Sequence, residues 1–160
     1  MLEALFPGVQ HLQNVHPLFV HFPIAFLVGA ACFYGLAWIL RRDSLAMTAF
    51  SLLILGAVSA AVAAGTGLYA EEGVMVSRSV RARLLENHET LMLTTLSLSV
   101  ALTAWAVAAR PFPRKRRVIF MLGLLGLLVV MSLGADYGAR MVYDYNAGGN
   151  ACSQPIDFTR

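Results

Sequence analysis

A chain of 160 residues with 58% hydrophobic and 13% charged residues, and a mean hydropathy of +0.68, is too apolar for a soluble domain and reads as a polytopic membrane protein. The net charge of +3 is accounted for by basic loops flanking membrane spans, so it implies no nucleic-acid partner. Four apolar runs, at about residues 17–40, 45–70, 88–109 and 118–136, each approach the ~20 residues that cross a bilayer core. The fold expected from this pattern is all-α, a single membrane domain over residues 1–160 built as an integral membrane four-helix bundle. Its chemistry is confined to the space between the helices or to their ends.

The segment before the first span has no Lys or Arg, and no A-x-A-like site follows the apolar run, so the first helix is expected to stay in the mature protein. His11, in this polar arm, is expected to face solvent. The span then opens with HPLFVHFP, His16 to Pro23. Pro17 suits a first helical turn, while Pro23 removes a backbone donor. An imidazole at membrane depth is costly unless it has a partner or an ion, which makes His21 a candidate ligand; an interfacial helix cap is the rival reading. His16 lies five residues earlier, roughly 140° away around an ideal helix, so the two rings cannot share one regular face. It reads as a helix-start residue able to bond a propionate or pass a proton from quinol. Below His21, Ala25, Gly29 and Cys32 form a stripe of small side chains that fits either close helix packing or a slot for a flat macrocycle.

The second span carries Gly56, Ala60 and Ala64 on one row and Ala57, Ala61 and Gly65 on the next, which reads as plain packing. It ends in GTGLYAEEG. The third span begins at His88, with Thr95 and Ser99 on the face below it. The fourth ends in GADYGARMVY, and the tail from about residue 144, with Asn146, Gly148, Gly149, Asn150 and Pro155, is expected not to continue as helix.

Charge sets the expected orientation. Arg41 and Arg42 lie between the first two spans, and Arg110, Arg114, Lys115, Arg116 and Arg117 between the last two, so these loops are assigned to the cytoplasm. Both termini and the loop of about residues 71–87 then face the periplasm of a bacterial inner membrane. His21 and His88 come to the same outer face. Cys32 and Cys152 are too far apart to bridge, and Cys152 is either free or joined to another subunit.

Each half has the same order of parts: a histidine at the outer end, an inward helix, a basic loop, and an outward helix ending in glycine and tyrosine. Gly67 and Tyr69 echo Gly134 and Tyr137, so the bundle is readable as two related hairpins with His21 and His88 as near-equivalents. Two facing imidazoles suit one haem b iron, and Arg78, Arg81, Arg83 and Arg140 are candidate propionate partners, or solvated loop residues. The metal ligands assigned on this reading are His21 and His88, with His16 beside the cofactor. A second class is a non-haem metal site of His16, His21, His88 and Glu89. A third is a cofactor-free anchor or assembly subunit, in which the histidines cap helices. Nothing resembles a nucleotide-binding loop or a nucleophile elbow, so a non-catalytic subunit of an oxidoreductase complex is favoured over an enzyme in its own right.

The HPLFVHFP opening, the four spans, His88 heading the third and the terminal G-x-x-x-G-A-R-M-V-Y segment resemble domain-of-unknown-function family 2231, small bacterial membrane proteins. Members occur beside or fused to cytochrome c or Rieske-type domains, so the resemblance implies a periplasmic or membrane redox partner. Many carry a histidine after the glycine ending the fourth span, where this chain has Asp136. The expected function is a haem b subunit passing electrons between quinol, or a membrane partner, and a periplasmic redox protein, in contact with membrane lipid.

Overall fold

With no water to bond its amides, a chain in hydrocarbon satisfies them internally, and each apolar run folds as a helix. The computed structural model describes residues 15–71, 77–109 and 111–145, and the sequence readings for His11, Cys152 and the tail from residue 146 lie outside them. Four helical stretches are long and apolar enough to cross a membrane: His16–Leu40, Asp43–Glu71, Arg78–Ala109 and Arg114–Tyr145. The first is interrupted by a turn at Val20 between His16–Phe19 and His21–Leu40. The third begins with a short helix, Arg78–Val80, and a π-helical turn, Arg81–Leu85, before the regular helix Glu86–Ala109.

The third stretch starts ten residues before the apolar run, and the fourth ends nine residues beyond it, so Asp144 and Tyr145 are helical where an irregular tail was expected to begin. Hydropathy marks where the apolar stretch ends. The backbone keeps its hydrogen-bond ladder past that point, because residues 78–87 contain no glycine or proline and residues 137–145 contain only Gly138, which a helix interior tolerates at a modest cost.

The spans run up and down as two hairpins, first with second and third with fourth. The second also packs on the third, and the first on the fourth, so the first and third spans face each other diagonally. Outward-facing residues such as Val28, Leu55, Val100 and Val129 form the lipid-compatible surface of helices that are apolar all round. Hydroxyls in the spans turn back onto their own helix, as in Thr95 Oγ1 to the Leu91 carbonyl at 2.8 Å and Ser97 Oγ to the Leu93 carbonyl at 2.9 Å. Among the described residues no buried side-chain polar atom lacks a partner, as a low-dielectric interior demands.

Which positions are buried reveals the internal repeat. In the first span Pro23, Leu27, Ala30 and Tyr34 are buried, and in the third so are Thr95, Ser99, Leu102 and Ala106, every pair 72 residues apart. The second span buries Ala49, Leu53, Gly56, Ala60 and Ala63. Its counterpart buries Phe120, Leu124, Leu127, Met131 and Gly134, all at a separation of 71. The two hairpins thus bury the same helical phases. The residues differ in size between halves, and close approach is arranged locally. At Gly56 an added Cβ would lie 2.5 Å from Leu27 Cδ2, so only glycine lets that leucine seat.

The end of the bundle that carries the loop into the fourth span is locked by aromatic rings. Tyr34 is wholly buried, packs edge-on against Phe120 at 5.0 Å between centroids, and donates its hydroxyl to the Pro111 carbonyl at 2.9 Å. That bond ties the first span to the loop between the last two. At the opposite end, Arg81 joins the Glu71 carboxylate at 2.7 Å and its carbonyl at 3.3 Å, closing the second span onto the third.

Candidate functional site

The buried rows of the first and third spans point to the site. Extended one heptad outward from Pro23 and Thr95, they reach His16 and His88, again 72 residues apart. The rings of these two histidines come together across the bundle with centroids 6.5 Å apart and planes at 82°. His21 is five residues off that phase and faces outward. The ligand pair expected from the sequence therefore needs correction at one position: the structure brings His16, not His21, to His88.

The small-residue stripe below His21 led that reading astray, since Ala25 and Cys32 are also exposed. The face of the first span that turns inward is set by Leu27, Ala30 and Tyr34, which carry the packing. Thr95 and Ser99 below His88 are buried as expected.

The hydrogen bonds define the tautomer of each ring. His88 Nδ1 lies 2.7 Å from the Gly134 carbonyl, which can only accept, so Nδ1 carries the proton. His16 Nδ1 lies 3.2 Å from Thr66 Oγ1, and that hydroxyl donates its own hydrogen to the Ala63 carbonyl at 3.0 Å. Its oxygen is then the acceptor, and His16 is likewise an Nδ1–H tautomer. With the proton on Nδ1, the neutral form of such a ring carries its lone pair on Nε2, the arrangement in which a histidine with a bonded Nδ1–H serves as a ligand or base.

The repeat extends to these contacts. Ala63 and Gly134, which end the two hydrogen-bond paths, are 71 residues apart, as are the glycines that cradle the rings. An added Cβ at Gly67 would lie 3.0 Å from His16 Cε1, and one at Gly138 would lie 2.9 Å from His88 Cε1. Gly67 therefore corresponds to Gly138, four residues beyond the glycine paired with it by sequence. Tyr137 occupies the place of Thr66, so the first half adds a hydroxyl beside the carbonyl, and His16 reaches both Thr66 and the Ala63 carbonyl.

Thr66, Gly67 and Gly138 were missed as site residues. The signal that could have found them is a small residue followed four positions later by glycine, Ala63–Gly67 and Gly134–Gly138, at the histidine end of both returning spans.

The arginines divide. Arg83 and Arg140, with Asn87 and Tyr137, line a cavity of about 300 Å³ beside the His88 end of the third span. Arg140 also reaches Asp144 at 3.7 Å. Arg81 is engaged by Glu71, and Arg78 is exposed. Asp136 is exposed, so the fourth span contributes a carbonyl and a glycine cradle to the site. Among the described residues no three His, Cys, Asp or Glu side chains are grouped to hold a metal ion, and the set His16, His21, His88 and Glu89 is not assembled.

The donor set can be tested against a haem or metal. The two neighbouring rings, with centroids 6.5 Å apart, are two imidazole donors of the kind that bind metal ions. Two protein ligands are too few for a tetrahedral zinc site, but they suffice for a haem iron, whose macrocycle supplies the other four nitrogens. His16 and His88 are the residues that would hold such an iron, and it would supply a one-electron couple.

Fold and site together define a four-helix membrane bundle with a diagonal pair of histidines near one end. The chain belongs to domain-of-unknown-function family 2231 (DUF2231), described as a predicted membrane protein, which it matches over residues 12–151. No curated protein and no solved structure matches it.

Proposed function

We propose that this protein is a membrane electron-transfer subunit in which His16 and His88 hold one haem b near the periplasmic end of the bundle. It would pass electrons between quinol, or a membrane partner, and a periplasmic redox protein. The observation that carries the reading is the crossed pair of Nδ1-protonated imidazoles at 6.5 Å, each drawn from a different hairpin. A haem bound there supplies a one-electron ferric/ferrous couple.

The chain's own residues do the rest. The Gly134 carbonyl and the Thr66 hydroxyl orient the rings and raise the basicity of Nε2. Gly67 and Gly138 give the half-buried rings room against the returning helices. Arg83 and Arg140 supply cationic partners for propionates at the aqueous edge. On this reading the loops of Arg41–Arg42 and Arg114–Arg117 face the cytoplasm of a bacterial inner membrane.

The visible spectrum of the purified protein, oxidised and then dithionite-reduced, tests the proposal. A sharp reduced α-band of low-spin haem b supports it. A colourless protein from haem-replete cells overturns it in favour of a cofactor-free anchor.

A further inference from the structure

The end of the bundle opposite the histidines carries a site of a different chemistry. Where the third span ends and the loop leads into the fourth, Trp105, Ala109, Phe112 and Pro113 on one side and Arg114, Lys115 and Arg116 on the other line an open depression of about 610 Å³. Arg114 shares its charge with Asp43, both carboxylate oxygens lying 2.7 Å away. Lys115 and Arg116 are exposed and pair with no carboxylate among the described residues. Nearby, Arg117 lies over the Trp38 ring at 5.1 Å, so the indole of Trp38, like that of Trp105, sits near the basic end of its span, at the depth where aromatic belts meet lipid headgroups.

A cationic side facing an aromatic and aliphatic one, placed where membrane spans end, matches a molecule with an anionic head and an apolar tail. Basic pockets between spans on the cytoplasmic side bind anionic headgroups by this combination. The geometry points to a phospholipid site: Lys115 and Arg116 take the phosphate of an anionic lipid, and an acyl chain lies along Trp105 and Phe112. The phosphate alone would satisfy the cations; the half-buried rings of Trp105 and Phe112, which pack on Phe120 from the core side, leave apolar surface beside them on which an acyl chain can lie. This site does not depend on the haem reading.

Native mass spectrometry of the purified protein, offered equal amounts of phosphatidylglycerol and phosphatidylcholine, tests it. Retention of the anionic lipid several-fold above the zwitterionic one is expected in the wild type, and equal retention overturns the proposal. The double substitution Lys115→Gln/Arg116→Gln should bring the ratio close to one, while Arg78→Gln, at the other end of the bundle, should leave it unchanged. A ratio that falls with Arg78→Gln and survives the double substitution contradicts the assignment. Millimolar inorganic phosphate should not displace the lipid; if it does, the site recognises free phosphate and the acyl-chain part is wrong.

Discussion

The imidazoles of His16 and His88 stand with their planes crossed at 82°, one from each half of a chain whose halves bury equivalent positions. Crossed axial imidazoles leave the two dπ orbitals of a ferric iron nearly degenerate. If the proposed haem is held by these two rings as they stand, the oxidised protein should give a strongly anisotropic low-spin EPR signal with a single prominent low-field feature. A conventional rhombic low-spin signal with three resolved features would mean that the rings turn parallel when the haem is bound.

Gly67 and Gly138 act through space. Gly138→Ala places a methyl 2.9 Å from His88 Cε1, and either the ring or the fourth span must yield, at a cost of about 1–3 kcal/mol. Because the ring is held by the Gly134 carbonyl on the same helix, displacement loosens that bond as well. Gly138→Ala and Gly67→Ala should each lower haem retention and thermal stability in detergent. Gly65→Ala should do neither, since nothing lies within 4 Å of a Cβ added there. Equal losses in all three variants would show that only helix flexibility was altered.

Thr66 offers a test confined to electronics. Thr66→Val keeps the side-chain shape and removes one of the two acceptors beside the His16 ring, leaving the Ala63 carbonyl. An imidazole that loses this bond is a weaker donor, which stabilises ferric iron less, so the midpoint potential should rise while the haem stays bound. A redox titration reads the shift. A lowered potential would contradict this role for His16.

How far the sequence could be read follows from these residues. The four spans were legible because apolar length is a local property, and His88 because it heads its span in phase with Thr95 and Ser99. The choice between His16 and His21 was harder. It depended on which side of the first span faces the bundle, which is decided by long-range packing of Leu27, Ala30 and Tyr34. The row from Tyr34 back through Pro23 to His16 did hold the answer, but the small stripe of Ala25, Gly29 and Cys32 competed with it. The partners of the rings were less legible still, since a carbonyl such as that of Gly134 has no signature in residue type.

Orientation is tested independently of any cofactor. With the loops around Arg41 and Lys115 in the cytoplasm, a reporter active only in the periplasm should work when fused after Arg160 and fail when inserted after Arg42. The opposite pattern would put the histidine pair at the cytoplasmic end.

The most direct measurement compares the oxidised and reduced visible spectra of three variants purified alongside the wild type. His16→Ala and His88→Ala each leave an iron with one protein ligand, so each should lose haem or turn high-spin. His21→Ala, altering an outward-facing side chain, should keep the wild-type low-spin spectrum and haem content. A low-spin spectrum that survives His16→Ala but is lost with His21→Ala would contradict the account.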